Sequence, residues 1–153
     1  MGIETFKTFM AGVGSAAGID DLTVDDSGFC AVEIDGMVCN LQYIFDTHGV
    51  YFFGELGEIP ENLLGKLAPD FLAANLFGLE TGGGSLALEP ESRQLIFGHS
   101  ISLENMDAIR FEQILGNCVN YMEHWKKELA DRIAAKSNDS TPLGGYGYTH
   151  IRG

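Results

Sequence analysis

Three cysteines, four histidines, a glycine run and a surplus of carboxylates are the groups in this 153-residue chain that could do chemistry. Cys30, Cys39 and Cys118 are odd in number and lack CxxC spacing, so they give neither a disulfide framework nor a zinc site. They read as reduced thiols that pack like small hydrophobes. His48, His99, His124 and His150 fall in a turn, a strand, a helix and a tail, without the HExxH spacing of a metalloprotease. Gly82-Gly83-Gly84 would cradle a phosphate only if Lys, Ser or Thr and then a helix followed. Ser85-Leu86-Ala87 follows instead and reads as a strand. The acidic run Asp20 to Gly28 fails as a calcium loop, because Thr23 falls at the first ligand position and Ile34 at the twelfth. It reads as an acidic surface turn. No Gly-x-Ser-x-Gly elbow occurs. Catalysis, a metal and a cofactor are therefore not expected.

The bulk numbers suit one domain with a real core, since 45% of residues are apolar. Net charge is −13. Residues 1–103 hold fifteen Asp or Glu against Lys7, Lys66 and Arg93, a net of −12, whereas residues 104–136 hold six acids and five bases. With no basic stripe, neither nucleic acid nor an anionic membrane surface is an expected partner. The apolar runs fall far short of the roughly 20 residues that a span needs. The N-terminus has no block of signal-peptide length. Phe6 stands where a myristoylation motif wants Ser or Thr. The expected compartment is the cytoplasm.

The positioning elements follow from periodicity. Phe6, Phe9, Met10, Val13, Ala16 and Ala17 share a helical face over Thr5 to Ala17, closed near Gly18. After an acidic linker, GFCAVEI, Asp35-Gly36 and MVCNLQYI make a hairpin. Its two-residue turn sets Ile34 opposite Met37, Val32 opposite Cys39 and Cys30 opposite Leu41 on one face. Phe29, Ala31, Glu33, Val38, Asn40, Gln42 and Ile44 take the other. Val50 to Gly57 is a third strand, and the sequence leaves open whether Val50 and Phe52 or Tyr51 and Phe53 point inward. Pro60 starts a helix. Pro69 is expected to interrupt it, with a second piece over Asp70 to Phe77 capped by Gly78. Ser85 to Glu89 and Gln94 to Ile101 form a second hairpin across Pro90 to Arg93. A long helix is expected from Leu103 to Ala135, started by Ser102. A flexible Gly/Tyr tail over 137–153 would follow a single domain over 1–136. The class is α+β.

With these elements in order, residues 1–135 resemble a class I type III secretion chaperone of the Tir-chaperone type. The resemblance is carried by DDSGFCAVEIDGMVCNL, by FGELGEIP, by LAANLFGLETGGGSLALEP and by ISLENMDAIRFEQILGNCVNYMEHWKKEL. It implies a cytoplasmic bacterial homodimer that is not an enzyme. Such a dimer holds the N-terminal region of a secreted effector in an extended state and presents it to the secretion apparatus. The residues expected to touch the effector are Phe6 and Phe9 of the first helix, Phe29, Val38 and Ile44 of the outer sheet face, and Tyr51 or Phe53. Dimerisation is expected around Phe71, Leu72 and Leu76 and from Ser85 through Leu86 to Leu88. For each of these the other reading is ordinary core. Two other functions compete: a regulatory or scaffolding protein that uses the same dimeric fold to bind a folded partner, and a small enzyme or ligand-binding domain, which would need a deep pocket with convergent polar groups.

Overall fold

Asp35 and Gly36 both have positive φ, 51° and 77°, as a type I′ hairpin turn requires. They join β1 (Phe29–Ile34) to β2 (Met37–Ile44) in the register expected from the sequence, with Val32 opposite Cys39. The computed structural model describes residues 1–20 and 22–139. Ahead of the hairpin lies α1 (Ile3–Ala17), ended by Gly18 at φ 69°. After it come β3 (Gly49–Glu58), α2 (Glu61–Ala74), a 3-10 turn at Leu76–Gly78, β4 (Ser85–Glu89), β5 (Gln94–Ser102) and α3 (Ala108–Asp139). The strands form one antiparallel sheet ordered β1-β2-β3-β5-β4.

The helices cover one face of this sheet. Phe6 of α1 stacks on Tyr43 of β2 at 4.8 Å between ring centroids. The α3 helix runs against β3, where a Cβ on Gly54 would overlap Met122 and one on Gly57 would lie 3.1 Å from Leu129. Leu41, Tyr43, Val50, Phe52, Phe97 and Ile101 are buried from the sheet side. The inward residues of β3 are thus Val50 and Phe52, and Tyr51 and Phe53 point outward. Trp125 of α3 is buried, donates from Nε1 to the Glu80 carbonyl at 3.1 Å and meets Phe71 of α2 edge-on. Residues 137–139 are helical, whereas the tail was expected from 137. The rest of that tail lies outside the described residues.

Two expectations need correction. Pro69 does not interrupt α2, which runs unbroken through it. Leu63, Leu67, Phe71 and Ala74 are all buried, so one apolar face spans the proline. Burial of that face outweighs the missing hydrogen bond. The helix then stops at Ala74, short of Phe77, whose φ of 55° no α-helix accommodates. The long helix starts at Ala108 and not at Leu103. Asn105 has φ 53°, which breaks any helix across it, and Ser102 accepts only from the Glu104 amide. Asp107 caps the helix instead, its carboxylate accepting from the Arg110 amide at 2.8 Å.

The glycine run sits between α2 and β4. Gly82 and Gly83 have positive φ, and a side chain on Gly82 would overlap the Tyr121 ring. Thr81 is fully buried and donates to the Gly84 carbonyl at 2.6 Å. A Cβ at Gly84 would lie 2.7 Å from the Gly98 carbonyl oxygen and 2.7 Å from the Phe97 ring. Gly84→Ala should therefore destabilise the fold by about 2 kcal/mol, as overpacking against backbone does. Urea unfolding checks this, and an unchanged midpoint would refute the close approach.

Candidate functional site

With the helices on one face, the outer face and the two sheet edges carry no further element among the described residues. Each edge strand has backbone groups turned away from the sheet. At β1 the first of these are closed off locally. The Asp25 carboxylate accepts from the amides of Ser27 (2.8 Å) and Phe29 (3.0 Å) and from the Ser27 hydroxyl (2.6 Å). The Asp25 amide donates to the Phe29 carbonyl. These hydrogen bonds, the Ser27 hydroxyl first, hold the Asp25 carboxyl below the usual carboxylate range. The acidic linker thus closes a turn. Because Phe29 faces outward and the Gly28 carbonyl pairs inward with Tyr43, the alternation of an antiparallel ladder leaves Ala31 and Glu33 with their N–H and C=O on the free side.

At the opposite edge, Asn75 substitutes for a strand. Its side chain donates to the Leu86 carbonyl at 2.8 Å and accepts from the Leu86 amide at 2.7 Å. That pair occupies the outward groups of Leu86 near the start of β4 and ties the end of α2 to the sheet.

Beside the free part of β1 lies an apolar groove of about 380 Å³. Val13 and Leu22 bound it on the α1 side, Val32 and Ile34 form its β1 wall, and Leu115 and Val119 of α3 close it. A strand added to β1 would drop alternate side chains into this groove. Periodicity did not reveal it, because each lining residue reads as core on its own element. The signal available was the pair Val32 and Ile34, inward-facing positions on what proves to be an edge strand.

The residues expected to touch a client divide into two groups. Phe6 is fully buried under Tyr43 and cannot make such a contact. It joins the core because it lies on the α1 face that carries Met10 and Val13. Phe9 is half-buried and meets Phe111 of α3 edge-on. Phe29, Ile44 and Phe53 are half-buried on the outer face, and Val38 and Tyr51 are exposed there. Ile44, Tyr51 and Phe53 come together with Ala87 and Ile96 along a shallow trough of about 520 Å³. Tyr51 reaches it by lying over Gly98, where a side chain would collide with its hydroxyl.

The residues expected at a dimer contact divide likewise. Phe71 and Leu86 are buried within the protomer and are corrected to core. Phe71 packs on Trp125, and Leu86 points inward from β4 beside Phe97. Leu72, Leu76 and Leu88 are exposed and Ser85 is half-buried. Phe77, 87% exposed, and Leu79 extend this apolar surface. Sequence reasoning missed both, having taken Phe77 as the last residue of a helix.

The other chemical groups are quiet. Among the described residues no group of three His, Cys, Asp or Glu is placed to hold a metal, and no helix is long and apolar enough to cross a membrane. His99 is half-buried with its Nδ1 unpartnered, and His48 approaches the Tyr43 hydroxyl at 3.1 Å. His150 lies outside the described residues. The cysteines are free and buried. Burial pushes Cys39 up to about 11 and Cys118 up to about 12, with Cys30 raised for the same reason.

The sequence matches the Tir chaperone protein (CesT) family over residues 8–126. No curated protein sequence matches the chain. In fold it is similar to the HopA1–SchA chaperone–effector complex at 22% identity, with TM-score 0.65, over 82% of this chain and 95% of that one. It is similar to the ExsC–ExsE complex at 14% identity, with TM-score 0.66, over 83% and 95% of the two chains. The Yersinia pestis type III secretion chaperone SycH, in complex with a fragment of YscM2, matches at 18% identity, with TM-score 0.60, over 78% and 98%. At these identities the likeness is one of fold.

The thiols supply a pH prediction. An unfolded thiol ionises near 9, whereas Cys39 and Cys118 in the fold ionise near 11 and 12. Above pH 9 the unfolded state therefore binds fewer protons. The contribution of these thiols to stability is intact below pH 9 and declines as pH rises toward 12. At pH 8 a thiol reagent should find no reactive cysteine until denaturant is added. Rapid labelling of the native protein would contradict the burial.

Proposed function

The chain belongs to the Tir chaperone protein (CesT) family of type III secretion chaperones, and from that premise we propose how its surfaces serve a secreted effector. The client's N-terminal region is held in an extended state, one stretch pairing as a strand along Ala31 and Glu33 of β1. Its apolar side chains enter the groove beside that edge. Further contacts come from Phe9 and from the outer-face side chains Phe29, Val38, Ile44, Tyr51 and Phe53. The observation that carries this reading is the coincidence of free backbone groups on β1 with an apolar groove alongside them. An unfolded segment offers the complement of both, unpaired amides and exposed apolar side chains. Binding alone accounts for this work, with no catalysed step and no cofactor, in the bacterial cytoplasm.

The working unit in this proposal is a homodimer. Leu72, Leu76, Phe77, Leu79 and Leu88 supply the apolar contact, with Ser85 beside them. Such a patch on a monomer would be unusual without a partner to cover it. In this reading the client-holding domain runs to the end of α3 at Asp139.

Two outcomes are expected. Ala31→Pro removes an outward N–H from an edge strand, a position where proline is tolerated. It should leave thermal stability within about 1 kcal/mol of the parent and weaken client binding at least about tenfold. Calorimetry of the variant with an effector N-terminal fragment measures both, and undiminished affinity would remove β1 from the client surface. Leu76→Glu with Phe77→Glu should shift the protein from dimer to monomer in sedimentation equilibrium while its circular dichroism is retained. An unchanged mass would place the dimer contact elsewhere.

A further inference from the structure

The groove beside β1 is apolar within and acidic at its mouth. Glu33, Asp35 and Glu112 are exposed around it, and among the described residues no lysine or arginine lines it. Among the described residues none of these three carboxylates takes part in an ion pair. Lys126, beyond the hairpin tip, faces a separate hollow with Val38 and Glu55.

Glu33 has a fixed place in the ladder. It alternates with Val32 and Ile34, so its side chain stands on the outer face while theirs border the groove. A strand paired along this edge would set an outward side chain roughly 4.5–5.5 Å from the Glu33 Cβ, or diagonal to it. Its next side chain would point to the other face and into the groove. The free edge is also short. Asp25 closes it at Phe29, and the chain turns away at Asp35, so the backbone offers only the Ala31 and Glu33 groups. Discrimination between clients must then come from side chains.

Resting on the reading of β1 as the client edge, we infer that the segment recognised here is a short amphipathic strand of a partner polypeptide that alternates apolar residues with Lys or Arg. Its apolar side chains fill the groove, its outward bases meet Glu33, and further bases at its flanks meet Asp35 and Glu112. A strand with acids between the same apolar residues buries equal apolar surface but sets like charges opposite Glu33. A second copy of this chain is a poor occupant of the edge, because β1 carries no base and would bring its own Glu33 with it.

The test uses the full chain and two synthetic peptides, each about nine residues long. Both have Val and Ile at alternate positions, one with Lys and Arg between them and the other with Glu and Gln. The basic peptide should bind about tenfold tighter or better, and its advantage should shrink as salt rises toward about 0.5 M. Glu33→Lys should abolish or invert the preference, and its amide spectrum should otherwise match the parent. Ala31 and Glu33 amide shifts should move on binding. Equal affinities with shifts on β1 would overturn the charge rule while leaving strand addition standing. No binding of either peptide, or shifts confined to other elements, would overturn strand addition as well. A change of mass on Glu33→Lys without peptide would show copies pairing through β1 and would overturn the choice of occupant.

Discussion

The close approach of α3 to β3 at Gly54 and Gly57 is the contact on which the other elements depend. Met122 and Leu129 occupy the space that side chains on those glycines would fill. With α3 seated there, Phe111 reaches Phe9 of α1, Tyr121 covers the glycine turn, and Trp125 joins Phe71 of α2 to the Glu80 carbonyl. One helix therefore fixes the positions of both others and of the turn that launches β4. Because it takes the inner face, the apolar residues on the outer face have no cover among the described residues.

The sheet edges show how a single side chain can stand in for a strand. Asp25 at β1 and Asn75 at β4 each satisfy a backbone N–H that would otherwise face water or another chain. A carboxylate can only accept, so Asp25 relies on its own amide to serve the Phe29 carbonyl. The amide of Asn75 does both tasks alone. The consequence is positional. Pairing at β1 is confined to the stretch between Asp25 and the hairpin tip, and β4 is occupied near its start, at Leu86. An edge limited in this way can take a short client segment and is poorly suited to the long pairings that lead to aggregation.

Much of this arrangement was legible in the sequence. Strict alternation and Asp35-Gly36 determined the register of the first hairpin, because a two-residue turn permits only one pairing. The order of elements followed from periodicity and from the turn residues. What was not legible depended on contacts between distant segments. Phe6 and Phe9 look equivalent on one helix, yet only Phe6 lies over Tyr43. Pro69 reads as a break, but the apolar residues on either side of it outweigh the lost hydrogen bond. Of the groove beside β1 only the Val32 and Ile34 wall left a sign in the sequence, since the groove itself exists only where α1, β1 and α3 meet. The exposed Phe77 was hidden by a backbone angle that no local pattern signalled.

The burial of Cys30, Cys39 and Cys118 bears on the company this protein keeps. A holder of unfolded chains spends its time beside whatever thiols its clients expose. A surface cysteine would risk capturing a client in a mixed disulfide, which no release step based on weak contacts could undo. With every thiol inside the fold and held neutral, attachment of a client stays noncovalent and reversible.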